Sequence, residues 1–224
     1  MPTIAEEPEL YNKILKRLVK RLPFVKPGVL TPGLKEVFER EKEFPPSETG
    51  RVVGQSLGMA VQWIKDDAPM DTPPHEFFHS YFILLLNTPI GKLAINKFKN
   101  VPAVKDLLER DDIGTIEGAV EEYLADFIGP MYVRRTQAGI PAKIKAWFKR
   151  FWLTLKKMFA PSKLTASDIR NIIFEEFFRG IVPGMTSKEA AAAAKEVEAE
   201  GIPKYKTYNQ TDQYVDQVSE DEAD

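Results

Sequence analysis

Thr72–Leu86 reads Thr-Pro-Pro-His-Glu-Phe-Phe-His-Ser-Tyr-Phe-Ile-Leu-Leu-Leu, and this stretch constrains the chain more than any other. Prolines in a first turn suit a helix start, because their missing N–H groups have no partner there anyway; Thr72 or Asp71 is then the N-cap. Phe77, Phe78, Tyr81, Phe82, Ile83, Leu84 and Leu85 leave almost no polar face, so protein must surround this helix on most sides. Asn87, Pro89 and Gly91 are its stop signals. A buried helix has little use for charge, yet this one carries both histidines of the 224-residue chain, four apart, with Glu76 directly after the first. Residues four apart stack on one helical face, so His75 and His79 can converge on one cation, with Glu76 to the side in reach of a water on it. Two randomly placed histidines would fall four apart roughly once in a hundred, and the glutamate makes the pattern about tenfold rarer.

The chain has no cysteine, which excludes disulfides, thiolate metal sites and a cysteine nucleophile and leaves histidine and carboxylate as the strong metal ligands. With 43% hydrophobic residues it can bury a real core; a net charge of -2 gives no overall nucleic-acid footprint, and no nucleic-acid partner is expected. The N-terminus lacks a basic start followed by an apolar run, so no signal peptide is expected. The apolar run Tyr81 to Leu86 is far short of the ~20 residues of a spanning helix, and a soluble protein, cytoplasmic or virion-associated, is the expectation.

Leu10, Ile14, Leu15, Leu18, Val19 and Leu22 stand at helical spacing opposite Lys13, Lys16, Arg17, Lys20 and Arg21, a basic amphipathic helix. Proline and glycine then punctuate the chain before a short charged helix from Leu34 that ends before Pro45. Residues 50–58 carry Val52 and Val53 between glycines and Met59 to Ile64 is apolar enough to be buried, but the pattern leaves strand and helix both open. Residues 94–108 read as a helix interrupted near Pro102. Residues 144–159 carry Ile144, Trp147, Phe148, Phe151, Trp152, Leu155 and Phe159 on one stripe with lysines and arginines opposite. Such a helix can lie on a membrane surface, but packing of the aromatics on the rest of the domain is the favoured expectation over peripheral membrane contact. Thr165 with Asp168 and Thr186 with Glu189 are capping arrangements opening two further helices, the first closed by Gly180 and Pro183. Beyond Gly201 an acidic, disordered tail is expected.

Residues 115–129 form the second informative helix. Glu122 and Asp126 share one face, with Gly118, Ala119, Ala125 and Gly129 beside them, and small residues let another helix approach closely. A catalytic zinc commonly takes three protein ligands, so with no third histidine the missing one must be a carboxylate. Asp111, Asp112, Glu117, Glu121, Glu122 and Asp126 are the candidates. Glu122 is the best, because Asp126, one turn on, can accept a hydrogen bond from a ligand imidazole; Glu121 has no such same-face partner.

His75-Glu76-x-x-His79 followed by Glu122-x-x-x-Asp126 resembles the gluzincin branch of zinc metallopeptidases, which includes thermolysin. The resemblance covers roughly residues 71–130 and implies that His75, His79 and Glu122 bind Zn2+, that Glu76 is the general base, and that Asp126 supports His75. It also implies a donor for the oxyanion. Thermolysin-like enzymes use a histidine and a tyrosine, and since no histidine is left here, Tyr132, Arg134 or Arg135 is the expected substitute. No clear β-hairpin or edge strand precedes the motif, where this superfamily lines up its peptide substrate. The aromatic basic helix followed by the Leu-Thr-x-x-Asp-Ile-Arg segment at 164–170 is loosely similar to sequence following zincin-like modules in large phage and mobile-element proteins.

The expected fold is therefore mainly α, a zincin-like helical metallopeptidase domain with at most a small β-sheet. It spans 45–182, after an N-terminal helical extension over 1–44 and before an Ala-rich helix and tail over 183–224. The expected function is zinc-dependent hydrolysis of a peptide bond in a protein or a peptidoglycan cross-link. The alternative is a non-catalytic phage structural or interaction protein retaining a zincin scaffold.

Overall fold

A computed structural model describes residues 1–30, 52–57, 59–64, 68–110, 113–138, 153–154, 156–157, 163–199 and 206–209. It is mainly helical, with helices α1 (Pro8–Arg21), α2 (Thr72–Leu86), α3 (Pro89–Phe98), α4 (Pro102–Leu108), α5 (Ile116–Gln137), α6 (Ala166–Arg179) and α7 (Ser187–Ala199). Four short strands, β1 (Lys26–Leu30), β2 (Val52–Leu57), β3 (Ala60–Ile64) and β4 (Lys206–Asn209), form one sheet in the order β1-β3-β2-β4.

Helix α2 lies at the centre. Every one of its residues is buried except Ile83 and Leu86, which are partly so, as a helix without a polar face requires. Helix α5 is its main neighbour, β2 and β3 cover it on another side, and α1 and α3 pack against it as well. Phe78 and Tyr81 meet Phe177 of α6 edge-on, with ring centroids 5.4 and 5.2 Å apart. Trp63 of β3, fully buried, stacks between Tyr11 of α1 and Phe77 of α2.

The hairpin left open by the sequence, and missed as an element preceding the motif, is β2–β3: an antiparallel pair with Leu57 opposite Ala60 and Gly54 opposite Trp63. Val61 and Trp63 alternate into the core, a period of two too short to stand out in an apolar run. β1 adds to β3 in parallel and β4 to β2 antiparallel. β4 falls within the expected disordered tail, and this part of it is paired. Packing also crosses the boundaries expected at 44/45 and 182/183. Ile4 donates its N–H to Ala68, α1 buries Tyr11, Ile14 and Leu18, and α7 buries Ala190 and Ala194.

Proline and capping residues place the helix ends. Thr88 accepts from the Gly91 N–H and starts α3, so Pro89 and Gly91 open the next helix as well as ending α2. Thr165 and Asp168 form the full reciprocal capping box of α6, and Thr186 and Glu189 make the same pair of bonds ahead of α7. Helix α5 does not end at Gly129 but runs through Pro130 to Gln137. Proline removes only the bond to the Asp126 carbonyl, and burial of Tyr132 and Val133 beyond it keeps the helix going. The short charged helix expected from Leu34, the 144–159 stripe apart from Leu153, Thr154, Lys156 and Lys157, and the acidic end of the tail lie outside the described residues. No helix among the described residues is long and apolar enough to cross a membrane.

Gly180 ends α6 at φ 72°, and a Cβ there would lie 2.1 Å from the Arg21 carbonyl oxygen at the end of α1. Gly184 has φ 81° but open space around it. Gly180→Ala is therefore expected to cost at least about 2 kcal/mol by chemical denaturation and Gly184→Ala only about 1, the backbone share alone.

Candidate metal centre

α2 and α5 bring the expected ligands together. His75 and His79 are 1% and 2% exposed, and their Nε2 atoms face each other at 3.0 Å. Glu122 completes the triangle, with Oε1 3.8 Å from His75 Nε2 and Oε2 3.5 Å from His79 Nε2. These three buried residues can hold a metal ion. Ligand atoms about 2.0–2.1 Å from a tetrahedral cation stand about 3.3 Å from one another, and the three separations straddle that value.

The outer ring nitrogens are backed by carboxylates. Asp126 Oδ1 lies 3.5 Å from His75 Nδ1, and Glu121 Oε1 lies 2.8 Å from His79 Nδ1. Which ring nitrogen carries the proton depends on the tautomer; with it on Nδ1, each ring would turn an N–H toward its carboxylate and a bare Nε2 toward the other two ligands. In that tautomer two lone pairs and a carboxylate oxygen converge, an arrangement that a cation would turn into coordination. The close approach depends on small residues. A Cβ on Gly129 would sit 3.1 Å from the Asp71 carbonyl oxygen and 3.4 Å from the Cβ of His75.

Glu76 is fully buried, and neither of its oxygens has a hydrogen-bond partner among the described residues. Burial, then the charges of Glu122 and Glu121, push its carboxyl well above the usual glutamate range. Asp126 is raised too, by burial and then by Glu122, with Arg110 opposing. Asp71 occupies the N-cap position of α2 but makes no side-chain cap bond. The reason is local. An N-cap carboxylate bonds the N–H of the second or third helical residue, and here those are Pro73 and Pro74. Its Oδ1 is left buried with no hydrogen-bond partner among the described residues, and burial raises its pKa from 3.8 to about 6.

Of the ligand candidates, Glu117 is exposed, and Asp111 and Asp112 lie outside the described residues. Glu121, set aside for want of a same-face partner, turns out to face His79. The signal available was that Gly118 and Ala125 flank its own stripe, three residues before and four after, as well as that of Glu122. Tyr132 does not join the cluster. It follows Glu122 by ten residues, about 15 Å along the helix. Its ring packs on Phe177 and Phe178, where burial raises its pKa against the opposing pull of Arg21 and Arg17. Arg135 stands 5.8 Å from the Phe178 centroid in that same patch, and Arg134 is exposed. Comparison with protein-family models, curated proteins and solved structures returns no match.

Two outcomes follow from this geometry. Asp71, with its folded pKa raised, stabilises the metal-free protein below about pH 4 and loses that contribution as the pH rises through about 6. Asp71→Asn is therefore expected to flatten the pH dependence of stability over that window and to raise stability at pH 7, measured by denaturant unfolding. Gly129→Leu must push α5 away from α2; it is expected to cost about 1–3 kcal/mol and to weaken divalent-metal binding measured by calorimetry.

Proposed function

We propose that the chain is a zinc-dependent peptidase of gluzincin type, with His75, His79 and Glu122 as zinc ligands, Glu76 as general base and Asp126 supporting His75. The observation that carries the reading is Glu76. Two imidazoles and one carboxylate with no cysteine suit zinc in the arrangement that leaves a fourth position to water. Beside them stands a buried glutamate whose oxygens have no hydrogen-bond partner among the described residues, and a metal that served only as a staple would need no such group. The β2–β3 hairpin packs on the motif helix, with both of its strands interior to the sheet and β1 and β4 at the edges.

Held by His75, His79 and Glu122, zinc would supply an acidified water and polarise a scissile carbonyl. Glu76 would be the base that accepts a proton and returns it to the leaving nitrogen. Burial and the charges of Glu122 and Glu121 raise the proton affinity of this carboxyl, and a cation beside it would favour the ionised form that a base requires. Asp126 holds His75 in orientation throughout. Substrates would be proteins or the peptide cross-links of peptidoglycan.

The rival reading is a non-catalytic structural or interaction protein, and the burial of all three ligands favours it, because structural metal sites are closed. Elemental analysis of purified wild type, Glu76→Gln and Glu122→Ala, together with a peptidase assay, separates the two. The peptidase reading expects about one zinc per chain in wild type. Glu76→Gln should keep the metal and lose activity by at least about 100-fold, and Glu122→Ala should lose metal. Zinc bound without activity on a broad peptide panel favours the structural protein, and absence of metal from wild type excludes both.

A further inference from the structure

Within the cluster, the shortest contact to a histidine is made by Glu121, a residue outside the ligand set. Its Oε1 lies 2.8 Å from His79 Nδ1, against 3.5 Å for Asp126 on His75, and both Glu121 and His79 are buried. Glu121 directly precedes Glu122, and consecutive helical residues point about 100° apart. One turn of α5 therefore reaches both sides of the same imidazole: Glu122 faces Nε2 at 3.5 Å and Glu121 faces Nδ1. Which nitrogen of a neutral histidine carries the proton is set by the hydrogen bond the other one makes. A ring with Nδ1–H held by Glu121 cannot flip or tautomerise without breaking a buried, charge-assisted bond.

We propose that Glu121 is the positioning residue for His79: its carboxylate fixes the imidazole as the Nδ1–H tautomer, so that Nε2 stays bare and aimed at the cation. The proposal rests on the metal-site reading above and adds to it a division of labour along α5. Each histidine of α2 has its own carboxylate behind it, Asp126 for His75 and Glu121 for His79, and Glu122 between them serves both inner nitrogens. Glutamate at 121 also gives the bond a charged acceptor. That strengthens the hydrogen bond and makes the imidazole a more basic ligand than a neutral acceptor would.

The test is direct because the chain has only two histidines. In imidazole nitrogen-15 NMR of the metal-free full chain, wild type should show His79 protonated at Nδ1. Glu121→Gln, whose amide oxygen still accepts, should keep that tautomer, and Glu121→Ala should lose it. In parallel, zinc affinity by chelator competition should fall about 10–100-fold in Glu121→Ala and be largely restored in Glu121→Gln. Should Glu121→Ala lose its helical circular dichroism, Glu121→Leu, which fills the buried volume without an acceptor, takes its place. An unchanged tautomer and affinity in the variant without an acceptor overturns the role of Glu121 and leaves the metal site standing. So does equal damage from Gln and Ala. A wild type that binds no zinc overturns the metal site and this role with it.

Discussion

The contact between α2 and α5 is the interaction on which the rest of this structure depends. It sets two histidines of one helix against three carboxylates of the other, Glu121, Glu122 and Asp126, in a region from which water is almost wholly removed. Such a surface does not associate for hydrophobic reasons. Burial of carboxylates costs several kcal/mol each unless a counter-charge is present, and the raised carboxyls of Glu76, Asp126 and Asp71 register that cost. The aromatic and aliphatic packing around α2, from Trp63 to Phe177, holds the polar seam closed against this tendency. A divalent cation on the three inward ligand atoms would offset it from within.

Shape makes the seam possible. A Cβ on Gly129 would meet the Asp71 backbone at 3.1 Å and the Cβ of His75 at 3.4 Å, so a larger residue there makes the neighbouring helix give way. The N-terminus of α2 is built to the same end. Two prolines give it a stiff start, at the expense of the cap bond that Asp71 would otherwise make, and the chain on either side is tied down by Ile4 and Met70 pairing with Ala68 and Pro2. The motif helix is thus fixed at its origin, on its α5 side and on its sheet side before any ligand arrives. That is the condition for a preorganised centre rather than one assembled on binding.

The helical framework and the heart of the site were legible in the sequence because each has a local cause. Capping pairs such as Thr165 with Asp168 act within one turn, and the all-apolar face of α2 announces its burial without reference to any partner. The spacing of His75 and His79, and of Glu122 and Asp126, follows from helical geometry alone. What was not legible depends on tertiary context. The strands β2 and β3 are too short for their alternation to separate from an apolar run, and β4 is defined only by the neighbour it pairs with. The continuation of α5 through Pro130 is decided by burial of Tyr132 and Val133, which no local rule weighs against a glycine–proline pair. Glu121 was passed over for a similar reason: whether a helical carboxylate faces solvent or a histidine depends on where the second helix lies.

The central claim is that His75, His79 and Glu122 coordinate one divalent metal through the inner nitrogens and a carboxylate. X-ray absorption at the zinc edge of the zinc-loaded protein tests it most directly. The account predicts a shell of nitrogen and oxygen neighbours at about 2.0–2.1 Å with the outer-shell scattering of two imidazoles, and with one imidazole lost in His79→Ala. A spectrum matching hydrated zinc, or imidazole scattering unchanged by that substitution, would contradict it.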